Sequence, residues 1–332
     1  MPKFILTKSK VFEQYNKLKD LGLKVSYSLK TNREVGNILE ETDCNFSIHI
    51  LDEVKLIKNK ELIWFFLQAT NEEQLKELFE LGVKNFVVDN EKDLEILLKT
   101  TDRKINLLLR MKIKEHSIHT GKYFVYGLSS KKVNEIVKEI KNNEFISKLG
   151  IHLHRKTQNT SEWRIKDELV DSLDKETIGN LDIINLGGGL PAEYISYTSK
   201  VLPEIFNKLK ETIEVFKNKE IYIEPGRFIC APAIKLETEI IQIYDNNVII
   251  DVSIYNCALD TVITHTKLLV EGEGMGKDYL IKGNSPTRDD IFRYRVKLEN
   301  PKIGDKLIFL NAGAYNYTTD FCGFVKLETE IK

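Results

Sequence analysis

The chain has 332 residues, 42% of them hydrophobic, which is enough apolar material for one large domain or two ordinary ones with a sizeable core. Its 49 Lys and Arg nearly cancel 50 Asp and Glu, so no global field favours nucleic acid, an anionic membrane surface or a polyanionic substrate, and a small-molecule partner is left by elimination. The opening MPKFILTKSK has too short an apolar stretch for a signal peptide and no eighteen apolar residues run together, so a cytoplasmic protein is expected. Cys44, Cys230, Cys257 and Cys322 lie far apart, which suits reduced thiols rather than a disulfide framework or a zinc site.

In chain order, short β-rich runs alternate with amphipathic helical patterns from about residue 24 to about 226. The candidate strands are KVSYSLK from Lys24, NFSI from Asn45, LIWFFLQ from Leu62, NFVVD from Asn85, INLLLRMKI from Ile105, KLGIHLH from Lys148, LDIINL from Leu181 and EIYIEPG from Glu220. Among the helices, the stretch from Asn71 places Leu75, Leu78 and Phe79 at helical spacing and stops at Gly82. Eight strands with intervening helices suggest a closed (β/α)8 barrel over an open doubly wound sheet. After Glu224 the pattern changes to KLETEIIQIYDNNVIIDVSIY, KLLVEGE, DKLIFLNAGAY and FVKLETEIK, which read as a separate antiparallel β domain packed closely on the first.

Chemistry in such a barrel collects at the C-terminal ends of the strands. Lys30 ends the first strand in YSLKTN, where partial burial makes a lysine an amine nucleophile toward an aldehyde; a solvated strand-end lysine reads the same way. NLGGGLP sets Gly187, Gly188 and Gly189 after a strand, where bare backbone N–H groups suit a phosphate, although a flexible turn has the same composition. EPGRF groups Glu224, Gly226 and Arg227: a carboxylate for a ring nitrogen and a guanidinium for a phosphate, or else a strand-end ion pair. His152 and His154 share one side of a strand, as a metal pair does, but no third acidic or cysteine ligand is near in sequence, so no metal is assigned.

Together and in this order, these motifs resemble the fold-type III decarboxylases that depend on pyridoxal 5′-phosphate (PLP), the family of ornithine, arginine and diaminopimelate decarboxylases. The resemblance covers nearly the whole chain. YSLKTN looks like the family's Schiff-base lysine motif, LLLRMK like its strand-borne arginine (Arg110), and GIHLH like the histidine that stacks on the cofactor ring (His154). NLGGGLP, EPGRF and NAGAY look like its phosphate-binding glycines, its glutamate and arginine, and its phosphate-reaching tyrosine (Tyr315). The resemblance implies an alanine racemase-like TIM barrel over residues 18–232, a β-barrel domain made from residues 1–17 plus 233–332, and a homodimer with shared active sites. It makes FILTKSKVF a strand of the second domain. It also implies decarboxylation of a small basic or polar-ended amino acid, in polyamine or lysine metabolism.

The family's loop cysteine, which helps protonate the product carbon, is missing: the matching stretch reads KGNSPTRDD, with Pro286 or Thr287 at that place and Asp290 retained. Thr287 is therefore the catalytic candidate there, and Arg288 and Asp289 are candidate contacts for the substrate's distal end, or solvated loop charges. Asp260 is near the family's substrate aspartate but out of register. Ser47 stands where the family commonly has an aspartate, with His49 beside it, and Thr157 and Gln158 follow His154, with helix capping by Asn159 or Thr160 as the rival reading. A PLP-dependent racemase and a non-catalytic homologue that regulates a partner are the competing readings; Glu224 in EPGRF argues against the racemase, and the retained Lys30, His154, Gly187 and Glu224 against the non-catalytic homologue.

Overall fold

The structure is a computed structural model, and it describes residues 1–113 and 126–332. Eight parallel strands, Lys24–Ser28, Asn45–Ile48, Ile63–Leu67, Asn85–Val88, Ile105–Arg110, Ile146–His152, Ile183–Asn185 and Glu220–Ile223, close into a barrel, each at an expected run. The first pairs with the last through Lys24↔Tyr222 and Val25↔Ile223, which completes the ring.

Period-two alternation decides which side chains fill the barrel. Along IWFFL, Trp64 and Phe66 point inward with Val87, Leu108, Ile183 and Tyr222, while Ile63, Phe65 and Leu67 join the larger core under the helices. Asparagines start several helices by accepting from a backbone N–H two or three residues on: Asn32 from Val35 N (3.1 Å), Asn71 from Gln74 N (2.8 Å) and Asn90 from Asp93 N (2.9 Å). The helix expected after Asn71 runs Glu72–Glu80, buries Leu75, Leu78 and Phe79, and ends before Gly82.

The second domain is an eight-stranded, mostly antiparallel sheet. Its path runs Leu269–Val270, Lys306–Leu310, Ile234–Tyr244, Asn247–Ile250, Lys277–Lys282 and Ile291–Leu298, and Lys3–Leu6 joins it between Ile234–Tyr244 and Glu328–Ile331. The two ends of the path meet through side chains: Lys267 Nζ donates to Ile291 O (2.8 Å) and Arg293 Nη1 to Leu268 O (2.6 Å). The sheet is thereby nearly closed.

Four features differ from the sequence reading. Two pairings, Lys3–Leu6 with Glu328–Ile331 and Asn247–Ile250 with Lys277–Lys282, are parallel. DVSIY does not extend the sheet: Ser253 makes a capping box with Asn256 and starts a short helix at Ile254, followed by a second at Leu259–Thr264. The strands Lys277–Lys282 and Ile291–Leu298 are so rich in charge that their alternation is weak. FILTKSKVF is a strand only to Leu6; Lys8–Lys19 is a helix packed on Arg33–Leu39 and Lys24–Ser28.

Candidate active site at the barrel mouth

Lys30 follows the strand Lys24–Ser28 in a single 3-10 turn, Leu29–Thr31, and the second domain holds that turn from outside. Tyr317 donates its hydroxyl to Lys30 O (2.9 Å), Tyr315 N donates to Thr31 O (3.1 Å), and Asn32 Nδ2 donates to Gly313 O (3.0 Å). The NAGAYNY segment thus fixes the backbone of Lys30 while its side chain stays open to solvent. Crowding by protein and the nearby Arg110 lower the Lys30 pKa, against the pull of Glu224 and Glu53. A lowered pKa enlarges the fraction of free amine, the form that attacks a carbonyl.

Glu224 sits one residue past the last barrel strand and is buried. One carboxylate oxygen accepts from Ser47 Oγ (2.9 Å) and Asn185 Nδ2 (2.9 Å), and the other from His152 Nε2 (3.1 Å). Burial opposes its charge, but His152, His154 and the Ser47 hydrogen bond together bring its pKa down to about 2. A carboxylate has about four acceptor positions, so three bonds leave one for a protonated ring nitrogen. Ser47 in turn meets Ser26 across adjacent strands at 2.8 Å.

His154 is exposed at the mouth, yet the protein crowded around its ring, followed by Arg110 and His152, lowers its pKa to about 3, which leaves a neutral imidazole face. A Cβ on Gly188 would stand 3.0 Å from Glu224 O and 3.5 Å from His154 Cε1, and one on Gly187 only 1.9 Å from Leu153 O. Gly187 also has φ +68°, so glycine is required there on both counts. Gly189 and Gly226 are similarly pressed, by Lys156 O and by the buried Thr31 Oγ1. A narrow cradle of bare backbone, a neutral imidazole and a charged carboxylate with one open acceptor position fits a flat phosphorylated pyridinium.

Arg227 departs from the simple expectation of a guanidinium free for phosphate. Its fork is engaged by Asp260, Nη1 to Oδ2 at 2.6 Å and Nη2 to Oδ1 at 3.0 Å, while Nη1 also reaches Tyr194 Oη (3.1 Å) and Nε reaches Thr157 Oγ1 (3.4 Å). The rings of Tyr194 and Tyr315 flank it at 5.4 and 5.3 Å. Burial works against its charge, yet Asp260 and Tyr194 raise its pKa. Tyr315 is on the left-handed side of backbone space (φ 56°), which a side chain of this size adopts at a cost of about 1–2 kcal/mol.

Arg110 ends the strand Ile105–Arg110 with its guanidinium 5.5 Å from the Tyr126 ring, and burial lowers its pKa against the attraction of Glu224 and Asp89. The structure does not bring Thr287, Arg288 and Asp289 to this group. Arg288 and Asp289 are exposed and pair at 3.5 Å, and Thr287 N donates to Ser285 Oγ (3.4 Å). Asp290 is structural, accepting from Ile254 N (2.9 Å) and Ser285 N (3.1 Å). Gln158 brackets Ala192 through both its amide atoms, and Asn159 closes a turn on Ser161 and Glu162 rather than capping a helix, since the next helix starts at Ile165.

The sequence reading missed the supporting residues Asn185, Tyr194 and Tyr317, weighed Asp260 only as an out-of-register substrate aspartate, and gave His152 only as half of a metal pair. The fold supplies the acidic neighbour that sequence spacing lacked: donor atoms of His152, His154 and Glu224 lie within 4.8 Å of one another. The hydrogen bond between His152 and Glu224 already engages two of the three.

With this geometry in hand, residues 8–231 match the family described as pyridoxal-dependent decarboxylase, pyridoxal binding domain. The chain belongs to that family. Its cofactor is PLP. Two curated relatives are a lysine/ornithine decarboxylase of Selenomonas ruminantium, 22% identical over 92% of this chain and 83% of the relative, and a diaminopimelate decarboxylase of Aquifex aeolicus, 26% identical over 92% and 79%. Among solved structures, lysine decarboxylase from Selenomonas ruminantium superposes with a TM-score of 0.86 at 20% identity, covering 100% of this chain and 92% of the other. The arginine decarboxylase of Paramecium bursaria Chlorella virus gives 0.83 at 18% identity, covering 100% and 96%.

Proposed function

We propose that the chain decarboxylates a small amino acid with a basic or polar distal end, of the lysine, ornithine, arginine or diaminopimelate kind, on PLP anchored by Lys30. The observation that carries this reading is the Glu224 carboxylate, held charged by three donors with one acceptor position open, in electrostatic reach of Lys30. When bound, the cofactor accepts the electron pair released as the bond from Cα to the carboxylate breaks.

Each residue then has a defined task. Lys30, its ammonium destabilised, would supply the amine that holds the cofactor. Glu224 would accept from the cofactor's ring nitrogen and hold a proton there. His154, neutral, covers one ring face and excludes water from it. Gly187, Gly188, Gly189 and Gly226 would offer bare backbone to the phosphate, together with Tyr315. Arg227, neutralised by Asp260, orients Thr157 and Tyr315 and gives the phosphate at most one remaining N–H. Arg110 balances the charge of Glu224.

Thr287, Arg288 and Asp289 serve the neighbouring subunit's site in a homodimer; their exposure and the lack of a described bond to their own barrel mouth support that. Release of CO2 measured across lysine, ornithine, arginine, diaminopimelate and carboxylated polyamines tests the reading. Release from one of these, with the matching amine, is expected. No release together with exchange of the α-proton would transfer the site to racemase-type chemistry.

A further inference from the structure

His152 is fully buried as the last residue of the strand Ile146–His152, bonded to Glu224 and in T-shaped contact with the Phe66 ring (centroids 5.1 Å, planes at 83°). We propose that His152 is a positioning residue: its Nε2–H fixes the Glu224 carboxylate and keeps it an acceptor for the cofactor's ring nitrogen. This rests on the PLP reading above.

Three observations carry it. First, burial lowers the imidazole's own proton affinity against the pull of Glu224, so the ring is neutral and carries one N–H. A carboxylate only accepts, so that hydrogen is on Nε2, 3.1 Å from Glu224. Second, this choice leaves Nδ1 a bare acceptor, and among the described residues the buried Nδ1 has no hydrogen-bond partner. A histidine kept for packing alone would gain by turning or by replacement with a ring of carbon, since an unmet buried polar atom is unfavourable. Orientation is therefore dictated by Glu224 at the expense of His152. Third, Ser47 and Asn185 both donate to the same oxygen, so among the described residues His152 alone holds the second oxygen and sets the carboxylate's rotation about its last bond.

The titratable groups around Glu224 are His152 and His154 at the end of one strand, Arg110 on the neighbouring strand in register with His152, and Lys30 and His49 just past the ends of their own strands, while Asp89 acts on His152. Apart from Asp89 and the carboxylate itself, these groups favour a charged Glu224 or are neutral. Loss of the His152 donor leaves burial less opposed, and the carboxyl's midpoint rises.

Cofactor-free protein labelled with 13C at glutamate carboxyls reports that midpoint directly, and Glu224→Gln assigns the signal by its disappearance. In His152→Phe the Glu224 midpoint is expected to rise by at least about one pH unit and the apparent PLP dissociation constant by about tenfold, the effect of one hydrogen bond to a charged group. His152→Gln, which returns a neutral donor near the Nε2 position, is expected to restore both. If His152→Phe does not fold, His152→Asn, whose shorter amide stops short of Glu224, takes its place in the comparison. An unchanged midpoint in the donor-less variant, or His152→Gln as impaired as that variant, overturns the proposal. Because the titration uses cofactor-free protein, a wild type that binds no PLP counts against the proposed function, while the midpoint still decides what His152 does to Glu224.

Discussion

Asp260→Ala is the most demanding test of how the two domains share this site. Arg227 and Asp260 are 3% and 2% exposed, so the substitution leaves a guanidinium buried with two of its donors unmet. Tyr194 and Thr157 still accept from it, but both are neutral. Removing one member of a buried, doubly hydrogen-bonded pair costs about 3–5 kcal/mol, and the lost bond from Thr264 Oγ1 to Asp260 (3.0 Å) acts in the same direction. Urea unfolding of the cofactor-free protein, followed by circular dichroism and tryptophan fluorescence, should show the midpoint lowered by roughly 1 M or more. Arg227→Met combined with Asp260→Leu should recover most of that loss, because no charge is then stranded. A single variant within about 0.5 kcal/mol of the parent, or a double variant no better than the single, would refute the idea that this pair ties the helix Leu259–Thr264 to the barrel mouth.

Gly187→Ala should destabilise the fold and abolish PLP binding together, since its Cβ would sit 1.9 Å from Leu153 O at a positive φ; thermal unfolding with and without PLP checks both. Stability should fall as pH drops from about 6.5 toward 3: His49 and His154 have folded pKa values lowered to about 3, so the unfolded chain takes up protons the native chain refuses. A second loss should follow as pH falls from about 4.5 toward 2, where the depressed Glu224 carboxylate is finally protonated, and Glu224→Gln should remove that part of the profile measured by denaturant midpoints. Tyr317→Phe, which frees Lys30 O, should slow PLP capture several-fold in stopped-flow absorbance while leaving the unfolding midpoint nearly unchanged.

The barrel was legible because most of its strands are built on apolar runs such as IWFFL, and because asparagine caps and Gly82 mark helix ends. The second domain was less so. Lys277–Lys282 and Ile291–Leu298 alternate charge with modest apolar residues, and the Ser253 box turns an apparently β-rich stretch helical through two side-chain bonds that no periodicity reveals. In the site, Lys30, Glu224 and the glycines stand at strand ends, where sequence position already implies the mouth of the barrel. Their supports do not: Asn185, His152 and Ser47 reach Glu224 across 39, 72 and 177 positions of chain, and Asp260 lies 33 from Arg227. Such pairings are set by barrel closure and domain docking, which sequence patterns do not encode residue by residue.

The most direct measurement is borohydride reduction of the protein with PLP, followed by peptide mapping of the pyridoxyl label. A single label on Lys30, loss of the visible absorption band, and neither feature in Lys30→Ala are expected. A label on another lysine, or a protein that takes up no PLP at all, would contradict Lys30 as the anchor of the site.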